Sequence, residues 1–178
     1  VSGLLIRQPG LLSLLQDGGR FGQHRIGLTN GGPLDAYAMS WANRLVGNDP
    51  AITAIEASFG GLELEAQTET MLALTGGDQS LSINGESCAS WRSHRVLPGD
   101  VISLGFAQQF CRSYLAVAGG FAIPRQFGST ATVLREGIGG LDGSKLDAGQ
   151  LLACTAQGAS PCLQLATPPM YSNSIEVR

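Results

Sequence analysis

Short apolar runs, each broken by a turn rich in glycine, proline or aspartate, recur along most of this chain. The opening "GLLIRQPGLLSLLQD" reads as two short strands separated at Pro9-Gly10, a strong turn signal. From residue 52 onward "TAIEASF", "LELEA", "TMLALTG", "SLSING", "SWRSHRVL", "VISLGF", "SYLAVAG" and "LLACT" repeat the strand rhythm. Asn84-Gly85 is a two-residue hairpin signal, and Pro98-Gly99-Asp100 divides "RVL" from "VISL". One segment breaks the rhythm. In "GGPLDAYAMSWANRLVGNDP", Ala38, Met39, Ala42, Leu45 and Val46 recur at helical spacing, Asp35 stands where an N-cap belongs, and Gly47 and Pro50 supply the stop. The spacing predicts a helix over 35–46, and "IPRQFGST" (123–130) predicts one short helical turn.

So many short strands with a single good helix predict a mainly β fold, a closed antiparallel or mixed barrel in preference to a sandwich. At 178 residues the chain suits one domain with a sizeable core. Its 25 glycines, often paired, fit tight turns that need positive φ. The tail "ATPPMYSNSIEVR" reads as a proline-containing linker followed by the start of a new strand. With Val1 at the front, this predicts a piece of a longer polypeptide: a domain over 1–165, then a linker and the beginning of a second domain over 166–178.

Charge narrows the partners. A net charge of -3 gives no support for nucleic-acid binding, and with Lys145 as the only lysine there is no polybasic membrane anchor. No signal peptide or long apolar span is visible, which predicts a cytoplasmic protein. Cys88, Cys111, Cys154 and Cys162 contain no Cys-x-x-Cys pair, and His24 and His94 are the only histidines, so the expectation is no metal site and reduced, mostly buried thiols.

Four stretches concentrate polar chemistry. In Gln16-Asp17-Gly18-Gly19-Arg20 an acid and an arginine either meet a polar ligand from one side or form a turn in which Asp17 accepts nearby N–H groups and pairs with Arg20. "GGPLD" opens the helix, where N–H donors could face an anion, although Asp35 as cap competes for them; Asn43, Arg44 and Asn48 lie at its far end. "LTGGD" ends in Asp78. Glu56 lies inside the apolar "TAIEASF"; alternation puts it with Ala54 and Ser58 on the face opposite Ile55, Ala57 and Phe59, favouring an outward orientation over a functional one. "REGIGGLDGSKL" (135–146) suggests a phosphate loop but fails the Walker order, with Gly143-Ser144-Lys145 in place of Gly-Lys-Ser, and it fails the Rossmann spacing at Asp142.

Taken in order, "QDGGRFG", "GGPLDAYAMSWANRLVGN", "AIEASFGG", "LTGGD", "YLAVAGG", "GST" and "GIGGLDG" resemble the C-subunit family of bacterial 5-oxoprolinase, also called allophanate hydrolase subunit 2 or the biotin-dependent carboxyltransferase family, which includes KipA-type proteins. The resemblance runs from about residue 4 to 152. It implies a cyclophilin-like β-barrel, the first of two. It also implies work with a KipI-like B subunit and an A subunit in a complex that uses ATP to open the lactam 5-oxoproline to glutamate. The alternative activities it implies are a carboxyltransferase half acting on urea with biotin carried by a partner chain, or a non-catalytic KipA-like binding partner of a KipI-like protein. Carried over by motif, Asp17, Arg20 and Glu56 are the candidate catalytic residues, and Asp35, Asn43 and Asp78 the candidate substrate-binding residues. Relatives commonly have tyrosine where this chain has Gln23, which cannot stack on a ring or donate as a phenol.

Overall fold

The computed structural model describes residues 2–154, 161–172 and 174. Among these residues it is mainly β with one α-helix, as the turn-and-run pattern predicts. The elements are β1 (Gly3–Pro9), β2 (Leu12–Gln16), α1 (Ala36–Leu45), β3 (Ala54–Ser58), β4 (Leu62–Ala66), β5 (Thr70–Gly76), β6 (Leu81–Ile83), β7 (Glu86–Cys88), β8 (Ser93–Val96), β9 (Val101–Leu104), β10 (Arg112–Val117) and β11 (Leu151–Ala153). They form a six-stranded sheet, β11-β1-β4-β9-β6-β7, and a five-stranded sheet, β2-β3-β10-β5-β8. Every strand pair is antiparallel.

The main core lies between the two sheets. Leu4, Ile6, Leu64 and Leu152 from one meet Leu15, Ile55, Leu72, Leu74, Leu115 and Val117 from the other. The outer faces differ. On β4 burial alternates, leaving Glu63 and Glu65 to pair with Arg7 at the surface. On β3 and β5 every residue is buried, because α1 covers the second sheet through Ala38, Met39 and Ala42 against Ala54, Tyr114 and Ala116. A half-buried strand shows a period of two; a strand covered on both sides loses it.

Local signals placed most elements. The helix is one residue shorter at each end than the predicted span, with Asp35 Oδ1 accepting the Ala38 N–H at 2.9 Å as the N-cap. Asn84 and Gly85 take φ of 53° and 83° between β6 and β7, as a tight hairpin turn requires. The short helical turn expected over 123–130 is absent. Gln126 and Ser129 instead form an isolated antiparallel bridge around Phe127 and Gly128, both at positive φ. Of the stretch 174–178, expected to begin a further strand, only Ser174 is described. No helix among the described residues is long and apolar enough to cross a membrane.

The glycine-rich stretch at 137–143 packs against its own neighbours. A Cβ on Gly139 would fall on the Ala131 carbonyl, one on Gly143 on the Gly137 carbonyl, and one on Gly140 would lie 2.6 Å from Thr132 Oγ1. Gly139 also has φ +77°. Gly139→Ala is therefore expected to cost roughly 2–4 kcal/mol of stability, from positive φ and backbone overlap combined. Urea unfolding at equilibrium measures it, and a change within about 0.5 kcal/mol, the size of an ordinary surface substitution, would refute the packing role.

Candidate functional site

The loop 30–35 between β2 and α1 is held by polar groups from several strands. Arg20 N–H donates to the Asn30 carbonyl at 2.6 Å. Gln16 Oε1 accepts from Gly32 N–H at 3.1 Å, and Glu56 Oε2 from Leu34 N–H at 3.0 Å. Asp35 N–H donates to Tyr114 Oη at 2.7 Å, and that hydroxyl in turn donates to Glu56 Oε2 at 2.7 Å. Asp35 Oδ2 accepts from the Tyr171 hydroxyl at 2.8 Å, and the Tyr171 ring lies 5.5 Å from Phe110. Of the amides at the helix start, those of Gly32, Leu34, Asp35 and Ala38 are thus engaged within the protein.

Glu56 corrects an expectation. Strand alternation does set it opposite Ile55 and Ala57, but α1 and the loop before it roof that face. The residue is 4% exposed where an outward orientation was expected. A carboxylate so placed requires hydrogen bonds or a counter-charge. It has both: Tyr114 and Leu34 on one oxygen, and Arg112 Nε 3.4 Å from the other. Burial first, then the Glu56 charge, push the Tyr114 phenol far above its ordinary range, so it stays protonated as a donor. Neither Tyr114 nor Arg112 stands out along the chain as a site residue, although Tyr114 opens the "YLAVAGG" motif; only the β3–β10 register sets them beside Glu56.

Asp17 and Arg20 do not pair with each other. Each grips the segment 126–131. Asp17 Oδ1 accepts from Ser129 Oγ at 2.6 Å and Gly19 N–H at 2.9 Å, and Oδ2 from Thr130 N–H at 2.8 Å. Arg20 donates through Nε to the Gln126 carbonyl and through Nη2 to the Ala131 carbonyl, both at 3.0 Å. The expectation of a turn therefore holds for local N–H donation to Asp17 and fails for the ion pair. Gln16 joins the two clusters, since its Nε2 donates to the Thr132 carbonyl at 3.1 Å.

Burial pushes the Asp17 carboxyl upward, but its hydrogen bonds from Ser129, Thr130 and Gly19 outweigh that, and its pKa lies below the ordinary value. A depressed carboxyl pKa contributes stability above the unfolded value of about 3.9, lost as pH falls through the folded value. Asp17→Asn places an amide donor against N–H and O–H donors. It is expected to cost about 1–3 kcal/mol at pH 7 and to flatten the fall in stability below about pH 4. Urea unfolding at neutral and acidic pH reads both effects; an unchanged acid slope would refute the assignment.

Asn43 and Asp78 serve the backbone. Asn43 Nδ2 donates to the Ile52 carbonyl at 2.8 Å, and its Oδ1 accepts from Asn48 at 2.9 Å. Asp78 accepts N–H groups of Gln108, Gln109 and Phe110 at 2.8–3.3 Å; these outweigh a desolvation that would raise its pKa, which lies below the ordinary value. Cavities of about 360, 290 and 180 Å³ open at Pro9–Phe106, at Leu45–Leu163 and at Phe59–Cys111, and none is lined by the candidate residues. Among the described residues no group of three or more His, Cys, Asp or Glu side chains is arranged to hold a metal. All four cysteines are free, and Cys111 and Cys162 are exposed, against the expectation of mostly buried thiols, because both lie in connections outside the strands.

The family model described as carboxyltransferase domain, subdomain A and B, matches residues 26–177, a span that includes Asp35, Asn43, Glu56 and Asp78 and begins after Asp17 and Arg20. The chain is 41% identical to the C subunit of 5-oxoprolinase from Escherichia coli over 151 residues, 84% of this chain and 48% of that protein. It is 36% identical to urea amidolyase of Saccharomyces cerevisiae over 148 residues, 83% of this chain and 8% of that protein. The solved structure of the K. lactis urea amidolyase superposes with a TM-score of 0.86 at 32% identity, covering 96% of this chain and 11% of that one. The chain thus spans about half the length of the 5-oxoprolinase relative and a small part of the amidolyases.

Proposed function

This chain belongs to the carboxyltransferase domain family, subdomain A and B, and on that premise we propose that it is part of the C subunit of a 5-oxoprolinase-type complex. The complex opens the lactam to glutamate with consumption of ATP. The observation that carries this reading is the 41% identity with the Escherichia coli C subunit across 84% of this chain, against 36% for the yeast amidolyase. In this reading residues 1–165 are the first barrel, and 166–178 lead into a second domain.

Ring opening adds water to the lactam carbonyl, breaks the C–N bond and leaves a carboxylate and an amine, so a proton must leave the water and one must reach the nitrogen. Glu56 is assigned to that proton movement, because Tyr114 and Leu34 fix one of its oxygens and leave the other beside the Arg112 guanidinium. Asp17 and Arg20 act by positioning the 126–131 segment, and Asp35 by anchoring the 30–35 loop. Asn43 and Asp78, expected from their motifs to bind substrate, are assigned to the supports of that loop and of 108–110. The glycine-rich stretch 135–146 has neither the Walker order nor the Rossmann spacing of a phosphate loop. ATP is therefore assigned to the partner A and B subunits.

The family description and the urea amidolyase matches favour a second reading, carboxyl transfer to urea with biotin on another chain. Lys145, the only lysine, follows Ser144 and does not form a Met-Lys biotinylation site. Reconstitution with the A and B subunits decides: glutamate release from 5-oxoproline and ATP is expected. Its absence, with carboxylation of urea in the presence of a biotin carrier, would overturn the first reading in favour of the second. Tight binding to a KipI-like protein with no turnover in either assay would leave the KipA-like role.

A further inference from the structure

On the sheet face beneath α1, polar side chains are satisfied almost one by one: Thr75 Oγ1 donates to the Ala38 carbonyl at 2.7 Å, and Gln16, Tyr114 and Glu56 Oε2 have the partners given above. One corner is not. Ser58 and Arg112 stand opposite each other in the β3–β10 register, so their side chains share the face that carries Glu56. Ser58 Oγ and Arg112 Nε are both buried with no hydrogen-bond partner, although Ser58 is 1% exposed. Glu56 Oε1 has only the 3.4 Å approach of Arg112 Nε, and Arg112 Nη1 has only the soft Cys111 Sγ at 3.9 Å. About a quarter of the Arg112 side chain, 27%, remains accessible. Unmade hydrogen bonds are rare inside proteins, and each calls for an explanation such as strain, a functional role, or a bound water, ion or other polar molecule.

We propose that Arg112, backed by Ser58, forms a binding corner for a small planar carboxylate or carbonate next to Glu56. The proposal rests on the assignment of Glu56 to chemistry. A guanidinium can turn one edge to Glu56 and its other N–H groups to a second oxyanion, which no lysine does with the same geometry. Without that cation, a ligand carboxylate would meet Glu56 as a like charge. The carboxylate of 5-oxoproline and bicarbonate share the required chemistry.

The Arg112 Nε–H resonance of the isotopically labelled 178-residue chain can be followed by NMR during titration with 5-oxoproline, with bicarbonate, and with neutral 2-pyrrolidinone. A saturable shift is expected with an oxyanion and none with 2-pyrrolidinone. Arg112→Lys should weaken oxyanion binding about 10-fold or more, and Ser58→Ala a few-fold, with the rest of the amide spectrum unchanged. No shift with either oxyanion would mean ordered water only and would overturn the site, as would equal shifts with 2-pyrrolidinone or unaltered affinity in Arg112→Lys. Should that variant fail to fold, the wild-type titration and Ser58→Ala still decide. Binding of bicarbonate alone would keep the corner and remove the lactam reading. Binding of 5-oxoproline without turnover in the reconstituted complex would do the same for the activity.

Discussion

Arg20→Met is expected to lower the stability of this chain by about 3–5 kcal/mol, more than any other single substitution in the two polar clusters. Arg20 is 1% exposed, and it ties β2's continuation to the carbonyls of Gln126 and Ala131. Methionine fills much of the aliphatic volume but leaves the buried Ala131 carbonyl without a donor, at about 1–3 kcal/mol, and the Gln126 carbonyl with only the 3.3 Å bond from Ser129 N–H. Arg20→Lys keeps the charge and loses the fork, so it should recover only part of the loss. Urea unfolding measures the free energy, and amide exchange at 126–132 shows where it acts. A loss below about 1 kcal/mol, with exchange in that segment unchanged, would mean the grip is not structural.

Glu56→Gln carries the largest expected effect on activity. Glutamine is nearly isosteric, and its carbonyl oxygen can still accept from Tyr114 and Leu34; the fold should lose about 1–3 kcal/mol, from the charge-assisted share of those bonds and from an amide NH2 set against the half-buried Arg112 guanidinium in place of its counter-charge. A proton-transfer role predicts a fall of about 10²–10⁴ in turnover of the reconstituted complex. Thr75→Val is the companion variant: it removes a buried bond to the same helix without touching Glu56, so it should destabilise while leaving turnover per folded molecule unchanged. Equal turnover loss in the two variants would assign Glu56 to helix docking, and wild-type turnover in Glu56→Gln would remove it from the chemistry altogether.

The polar clusters differ in how far they can be read along the chain. Asp35 is legible as the helix cap because its partner, Ala38 N–H, lies three residues on. Asp17 is chemically notable in sequence, but its main partners, Ser129 and Thr130, lie more than a hundred residues away. For Glu56 the alternation gives the correct face and the wrong surroundings, because a period of two says which side of a strand a residue occupies and nothing of what covers it. Its covering helix meets β3 only through the tertiary fold.

Everything carried by near neighbours can be read from the linear chain: the mainly β character, the helix with its cap and stop, the break at Pro9-Gly10 and the hairpin at Asn84-Gly85. Backbone dihedral preferences and short-range hydrogen bonds are properties of a few adjacent residues, so each leaves its own local mark. The framing of Glu56 by Tyr114 and Arg112, and the clasp of Arg20 on main-chain carbonyls, belong to the assembled molecule alone. Strand register depends on burial summed over the whole core, and a carbonyl acceptor is present in every residue, so neither leaves a mark on the identity of the partner.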